Sequence, residues 1–357
     1  MERFGFVGLP NAGKSCLYNA LAGGGALAAP YAFATVDPNV GVAKVPDDRL
    51  DRLAAMSESK NVVPASVQFV DIAGLVKGAA QGEGLGNRFL SHIREVDAVV
   101  YVLRAFVDDD VPGSSDPIDQ LSTLELELTY ADLESVEKQL EKRRKVARLD
   151  KETAPAVAAL EKAVAALGEG TPVYRSGMST EERRLLHDDF LLTNKPAMAV
   201  INIDEDQIGS EDEITAPISE ALGGGDAVGV CVQLEAEAVL LDEAERAEML
   251  DALGLGRGAL TRFVVGAYHL LGLRTFFTTG EKESRAWTFR SGAHAPEAAG
   301  VIHTDFEKGF IRAEVIDWAE LLELGSWHAA RDVGRLRVEG KDYEVRDGDV
   351  VEIRFNV

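Results

Sequence analysis

The sequence predicts an α/β fold: a mostly parallel sheet, interrupted by an inserted α-helical arm and followed by a smaller α+β module. Three observations predict it. Short, apolar, β-rich runs alternate with helical patterns in the first part of the chain and again after residue 194, as in a parallel sheet covered by helices. Between about Ile118 and Leu192 that alternation gives way to a helix-rich, charged stretch. From about Arg274 the pieces become short strands separated by Gly and Asp turns, over a length that suits an independent domain.

The elements follow in order. Phe4 to Val7 reads as a short buried strand and Ser15 to Leu21 as the start of a helix. Between them Gly8, Gly13, Lys14 and Ser15 match G-x-x-x-x-G-K-[ST]. Glycines let the backbone turn so that successive N–H groups face phosphate oxygens. The loop Asn11, Ala12, Gly13, Lys14, Ser15 and Cys16 is thus expected to cradle a nucleotide, with Lys14 on the β- and γ-phosphates and the Ser15 hydroxyl on Mg²⁺. Thr35, in "YAFATVDPN", is the candidate to complete the metal shell from a first switch loop. Val67 to Asp71 reads as a strand ending in D-x-x-G, where Asp71 is expected to hold Mg²⁺ through water and the Gly74 N–H to meet the γ-phosphate. Leu75 follows, at the place where a Ras-type GTPase carries the glutamine that orients water. The Gly-rich stretch after it reads as a second switch, with His92 and Arg94 as candidates for moving in.

Ala98 to Leu103 is a further buried strand. In the arm, Leu126, Leu133, Val136 and Leu140 recur at helical spacing, and a second helix spans Ala154 to Leu167. The strand Ala197 to Ile201 ends in Asn202-Ile203-Asp204-Glu205, where a guanine reader has N-K-x-D. Lysine is absent and the fourth-place acid is Glu205, too long to set its oxygens against the guanine edge. Asn202 remains able to meet the purine N7 and a 6-amino donor, and Ile203 to pack on the ring; a plain strand-end turn is the alternative. Val228 to Val232 is the next strand, and the last module has strand-like pieces with one helix at Trp318 to Leu324.

Together these residues resemble the YchF / Obg-like ATPase family over nearly the whole chain. "GLPNAGKS", "TVDPN", "VDIAGLVKGAAQGEGLGN", "FLSHIRE", "LRTFFTTGEKESRAWTF", "GVIHTDFEKGFIRAEVI" and "DGDVVEIRFNV" fit it in order. The resemblance implies a P-loop G domain (1–118 and 194–273), a helical arm (119–193) and a TGS domain of β-grasp fold (274–357). It also implies Mg²⁺-dependent ATP hydrolysis and association with ribosomes. Leu75 fits the family's apolar replacement of the glutamine, and Asn11 matches an asparagine that helps bind K⁺ in related P-loop proteins. Cys16 stands where the family usually has Thr, Ala34 where many members have Cys, and Val232-Gln233 where a pair of small residues is usual.

Composition bounds the rest. The 357 residues are 46% hydrophobic, with a net charge of −23 and two cysteines, Cys16 and Cys231. The cysteine usage suits a reducing compartment, and the chain shows no signal peptide and no apolar run of spanning length, so a cytoplasmic monomer without membrane contact is expected. The charge opposes general attraction to RNA. Ribosome contact is therefore expected through local basic faces: Lys142, Arg143, Arg144, Lys145 and Arg148 on the arm, and Arg335, Arg337, Lys341 and Arg346 in the last module. The leading function is an ATPase switch with ATP preferred over GTP. A GTPase of relaxed base choice and a non-hydrolysing, nucleotide-gated binding module are the alternatives.

Overall fold

The structure, a computed structural model, describes residues 2–23, 40–72, 85–108, 110–147, 151–253, 255–256 and 258–356. In chain order the elements are β1 (Arg3–Val7), α1 (Lys14–Gly23), β2 (Val40–Lys44), α2 (Asp48–Met56), β3 (Asn61–Val63), β4 (Ser66–Asp71), α3 (Leu85–Glu95), β5 (Ala98–Arg104), α4 (Pro117–Ala147), α5 (Ala154–Gly168), α6 (Thr180–Leu185) and β6 (Ala197–Asn202). They continue with α7 (Glu211–Ala221), β7 (Ala227–Val230), α8 (Val232–Ala238), α9 (Glu243–Ala252), α10 (Ala259–Leu270), β8 (Leu273–Thr278), β9 (Glu283–Arg290), α11 (Ala295–Ile302), α12 (Thr304–Lys308), β10 (Phe310–Asp317), α13 (Trp318–Leu324), α14 (Trp327–Asp332), β11 (Arg337–Glu339) and β12 (Asp349–Phe355).

The chain forms two compact units, Met1–Ala43 with Gln68–Phe263, and Lys44–Val67 with Val264–Val357. The first carries a sheet in the order β2-β4-β1-β5-β6-β7. β1 pairs in parallel with β4 and β5, β5 with β6, and β6 with β7. Alternation along β1 sends Phe4 and Phe6 to one face, where they meet Phe69, which in turn meets Phe263 at 5.2 Å between ring centroids. Val7, Leu103 and Ile201 belong to a second cluster, completed by Ile93 of α3, Leu121, Leu124 and Leu128 of α4, and Ile218 of α7. Burying an apolar side chain of this size stabilises by about 1.5–3 kcal/mol.

α4 opens with Pro117 at its first position, while the Asp116 carboxylate accepts from the Ile118 N–H. Its apolar positions change partners along its length. Leu121 to Ala131 belong to the sheet cluster, whereas Val136 and Leu140 belong to a separate cluster with Leu160, Ala163 and Leu167 of α5. Leu126, expected on the packed stripe, is instead 42% exposed, because Leu124 and Leu128 already occupy the face toward the sheet.

Two buried carboxylates fix the root of this helix. Glu125 accepts from the Tyr174 hydroxyl and the Arg175 guanidinium. Asp132 accepts from the backbone N–H groups of Leu192 and Thr193 and from the Thr193 hydroxyl, at 2.7–2.9 Å. Burial pushes the Asp132 carboxyl up to about 6, against the lowering effect of those hydrogen bonds. A carboxyl whose folded-state pKa is raised takes up its proton at a higher pH than in the unfolded chain. Its ionisation therefore costs stability as pH rises from about 4 to about 6, and the cost is relieved on acidification. Between pH 7 and pH 5 the wild type should gain about 1 kcal/mol on Asp132→Asn, read by denaturant unfolding at both pH values. A difference that does not change with pH would overturn this assignment.

The second unit carries its own mixed sheet, β11-β10-β12-β8-β9-β3. β10 pairs antiparallel with β12, β8 antiparallel with β9, and β12 and β8 run parallel. Here the sequence boundaries differ from the structure. β3 pairs in parallel with β9, through Asn61↔Glu283 to Val63↔Arg285, and residues 44–67, up to the first two residues of β4, group with the C-terminal unit. Val232, expected in a strand, instead opens α8. The helix expected at Trp318 to Leu324 is α13. Among the described residues no helix is long and apolar enough to cross a membrane.

Candidate nucleotide-binding site

The site lies at the C-terminal end of β1, where the chain leaves the sheet at Gly8 and re-enters helix at Lys14. Gly8 lies against the backbone of β5; a Cβ there would stand 2.5 Å from the Val102 carbonyl oxygen. Asn11 (φ 63°) and Gly13 (φ +96°) take left-handed conformations that reverse the chain. The Ala12 N–H donates to the Leu9 carbonyl, and the Leu17 N–H to that of Gly13 as α1 begins.

Lys14 is 7% exposed, and its Nζ donates to the carbonyls of Gly8 (3.0 Å) and Leu9 (2.8 Å), which places the ammonium across the loop. Burial pulls its pKa below the ordinary lysine value, and the nearby Asp71 carboxylate pushes it partly back. The Ser15 hydroxyl donates to Asp71 Oδ2 at 3.0 Å, joining the start of α1 to the end of β4. A hydroxyl and a carboxylate held together beside a buried ammonium form an all-oxygen donor pair that suits a hard divalent cation such as Mg²⁺. Cys16 is exposed on the first turn of α1.

The base-side element sits at the end of β6. Asn202 is 8% exposed and ties the loops together: its Nδ2 donates to the Ala12 carbonyl, and its Oδ1 accepts from the Val232 N–H, both at 3.3 Å. Only a glycine at position 13 admits this approach, since a Cβ there would lie 2.4 Å from Asn202 Nδ2. Ile203 is 3% exposed and belongs to the apolar cluster beneath the sheet ends. Asp204 caps the 3₁₀ turn Glu205–Gln207, accepting from the Glu205 N–H while Gln207 bonds back to the Asp204 N–H. Glu205 is exposed at the start of that turn.

The structure thus brings together Asn11, Ala12, Gly13, Lys14, Ser15, Asp71 and Asn202. Thr35, Gly74 and Leu75 lie outside the described residues. His92 is exposed, and Arg94 lies within electrostatic reach of Asp132. Sequence reading missed the Val232 N–H as the partner of Asn202; the departure at Val232-Gln233 marked that segment, but a backbone donor leaves no trace in residue type. The basic cluster on the arm also differs from expectation. Arg143 pairs with the buried Asp189 and Arg144 with Glu161, each at 2.6 Å, so these two guanidiniums are engaged within the arm, and Arg148 lies outside the described residues. In the second unit, Arg335 pairs with Glu320 and Arg337 with Asp349 and Glu339.

A phosphate-cradling loop between a central parallel strand and its helix, with a lysine across it and a Ser–Asp pair beside it, defines a P-loop nucleoside triphosphatase. Residues 3–151 match the MMR_HSR1 family, described as a 50S ribosome-binding GTPase, and residues 273–356 match YchF-GTPase_C, described as a protein of unknown function. The chain is 46% identical to the ribosome-binding ATPase YchF of Bacillus subtilis and 45% identical to that of Haemophilus influenzae, over 99% of both chains in each case. It is similar to the solved Schizosaccharomyces pombe YchF GTPase at 36% identity and a TM-score of 0.86, covering 99% of this chain and 97% of that one. The chain belongs to the YchF family.

Proposed function

We propose that this protein is an Mg²⁺-dependent hydrolase that prefers ATP to GTP and uses the nucleotide to switch its association with ribosomes. The relatives' names divide over the nucleotide, ATPase in the bacterial proteins and GTPase in the fission-yeast structure, so the base-side element has to decide. It carries the reading. Its asparagine ties Ala12 to Val232, its second residue is a buried isoleucine where a guanine reader has lysine, Asp204 is engaged as a cap, and the fourth-place acid is the longer Glu205. Discrimination for guanine rests on matched polar partners, and a site without them loses it. ATP should bind at least several-fold more tightly than GTP in calorimetric titration. Glu205→Asp should narrow the gap. Ile203→Lys is a poor companion change, because it puts an ammonium into an apolar cluster. Equal affinities for the two nucleotides in the wild type would sink the proposal.

In the reaction, Lys14 and the loop N–H groups hold the β- and γ-phosphates, and Ser15 and Asp71 hold Mg²⁺, which when bound supplies positive charge to the phosphate oxygens. With leucine in place of a water-orienting glutamine, intrinsic turnover is expected to be slow. Asn11 is the proposed ligand of a K⁺ ion beside the phosphates, tested by phosphate release in K⁺ and in Na⁺ for the wild type and Asn11→Ala.

The ribosome reading draws on the relatives' names and on the exposed cations left after internal pairing. Lys142 and Lys145 on the arm, and Lys341 and Arg346 in the C-terminal unit, are exposed and make no ion pair with another described residue. Co-sedimentation with ribosomes should depend on the bound nucleotide and weaken as salt rises, since phosphate contacts release counterions. Charge reversal of Lys142 with Lys145, or of Lys341 with Arg346, should weaken it several-fold without changing ATP turnover. Pelleting that ignores both nucleotide and salt would overturn the switch.

A further inference from the structure

The Asn202 amide is held at both ends, and its two partners fix which end is which. Its backbone is already set in the sheet. The Asn202 carbonyl accepts from the Ala105 N–H at 2.9 Å, and the next N–H, that of Ile203, donates to the Val230 carbonyl at 3.0 Å. From there the side chain gives Nδ2 to the Ala12 carbonyl and Oδ1 to the Val232 N–H. Turning the amide over would set Oδ1 against a carbonyl and Nδ2 against an N–H, so both bonds would be lost.

An amide carries two N–H groups and two carbonyl lone pairs, so each end of Asn202 keeps one for a ligand. What remains is a donor on the Ala12 side and an acceptor on the Val232 side, in an order that cannot be reversed. A purine whose N7 accepts and whose 6-substituent donates matches that order, which is how asparagine pairs with adenine. A 6-oxo purine does not match it, because O6 and Oδ1 are both acceptors. Nor does the start of α8 supply a donor to O6. The Val232 N–H is spent on Asn202, and that of Glu235 on the Cys231 carbonyl at 3.1 Å. Those of Leu234 and Gln233 are turned to the Cys231 sulfur, where they partly offset the rise in thiol pKa that burial causes. The 2-position meets no such instruction: Glu205, at the fourth place of the element, is exposed at the start of its turn.

We propose that the Ala12 carbonyl and the Val232 N–H lock the Asn202 amide, and that this lock makes the site specific for 6-aminopurine nucleotides whatever their 2-substituent. The lock rests on the proposed preference for ATP and gives it a cause at the 6-position. Calorimetric titration of the wild type with four triphosphates tests it. ITP, which has the O6 of GTP but no 2-amino group, should bind about five- to a hundred-fold more weakly than ATP, as GTP does. 2-Aminoadenosine triphosphate, which has the 2-amino group of GTP and the 6-amino group of ATP, should bind like ATP. ITP binding like ATP, or the 2-amino compound rejected like GTP, would overturn the proposal while the preference for ATP stood. Equal binding of all four would overturn that preference as well. Val232→Pro tests the lock itself, since proline is tolerated at the first helical position and removes the N–H. The ratio of ATP to ITP affinity should fall several-fold in this variant, because half of the lock is gone, whereas general damage would lower both affinities together. An unchanged ratio would show that the Val232 N–H holds nothing.

Discussion

Lys14→Ala is expected to lower kcat/KM for ATP by about three to five orders of magnitude. Two losses add. A charge-assisted contact to phosphate contributes about 1.5–3 kcal/mol to binding. Removing a preplaced donor from developing transition-state charge costs a further ~2.7–4 kcal/mol. The lysine is already placed, because its Nζ bridges the Gly8 and Leu9 carbonyls before any phosphate contact is made. The variant should keep its far-UV circular dichroism, since the core clusters are untouched. Calorimetry with ATP and single-turnover phosphate release separate the two losses, and near-normal turnover would mean that the nucleotide sits elsewhere.

Gly13→Ala should be nearly as damaging, by a different route. At φ +96° an alanine is strained by about 1–2 kcal/mol before any contact is counted. Its Cβ would then stand 2.4 Å from Asn202 Nδ2, so either the loop or the asparagine must withdraw. Withdrawal breaks the bonds to Ala12 and Val232, each a net ~0.5–1.5 kcal/mol. ATP affinity should fall on the order of a hundredfold and the melting temperature should drop. Asn202→Ala removes the bonds without the strain and should show a smaller loss on both readouts. Wild-type affinity in Gly13→Ala would show that the loop does not need this geometry.

The strands of the nucleotide unit were legible because each is a short apolar run whose pairing partners share its character. The loop was legible because the spacing of its glycines, lysine and serine is fixed by what phosphate requires. What escaped is non-local. Nothing in Asn61 to Val63 announces that it will extend a sheet whose other strands begin more than two hundred residues later. The arginines of the arm read as a free basic face because their partners, Asp189 and Glu161, come from other turns of chain. Asn202 reads as a candidate base ligand or a strand-end turn from its residue type; that its amide also joins two backbones is a fact of three dimensions.

The change of partner along α4 carries a consequence for anyone who would cut the arm away. β5 and β6 are neighbours and run parallel, so the chain leaves one end of the sheet at Arg104 and must return to the other end at Ala197. Such a return needs a crossover, and the first half of α4 is that crossover, with Leu121, Leu124 and Leu128 roofing the strands. The arm is an overgrown connection, lengthened past Ala131 until it needed a partner of its own. Excising residues 119–193 as a module would therefore sever the parallel sheet. A truncation that respects the fold keeps the roof through Asp132, the Tyr174 and Arg175 that hold Glu125, and the Leu192–Asn194 turn that Asp132 holds, and shortens only what lies between Asp132 and Val173.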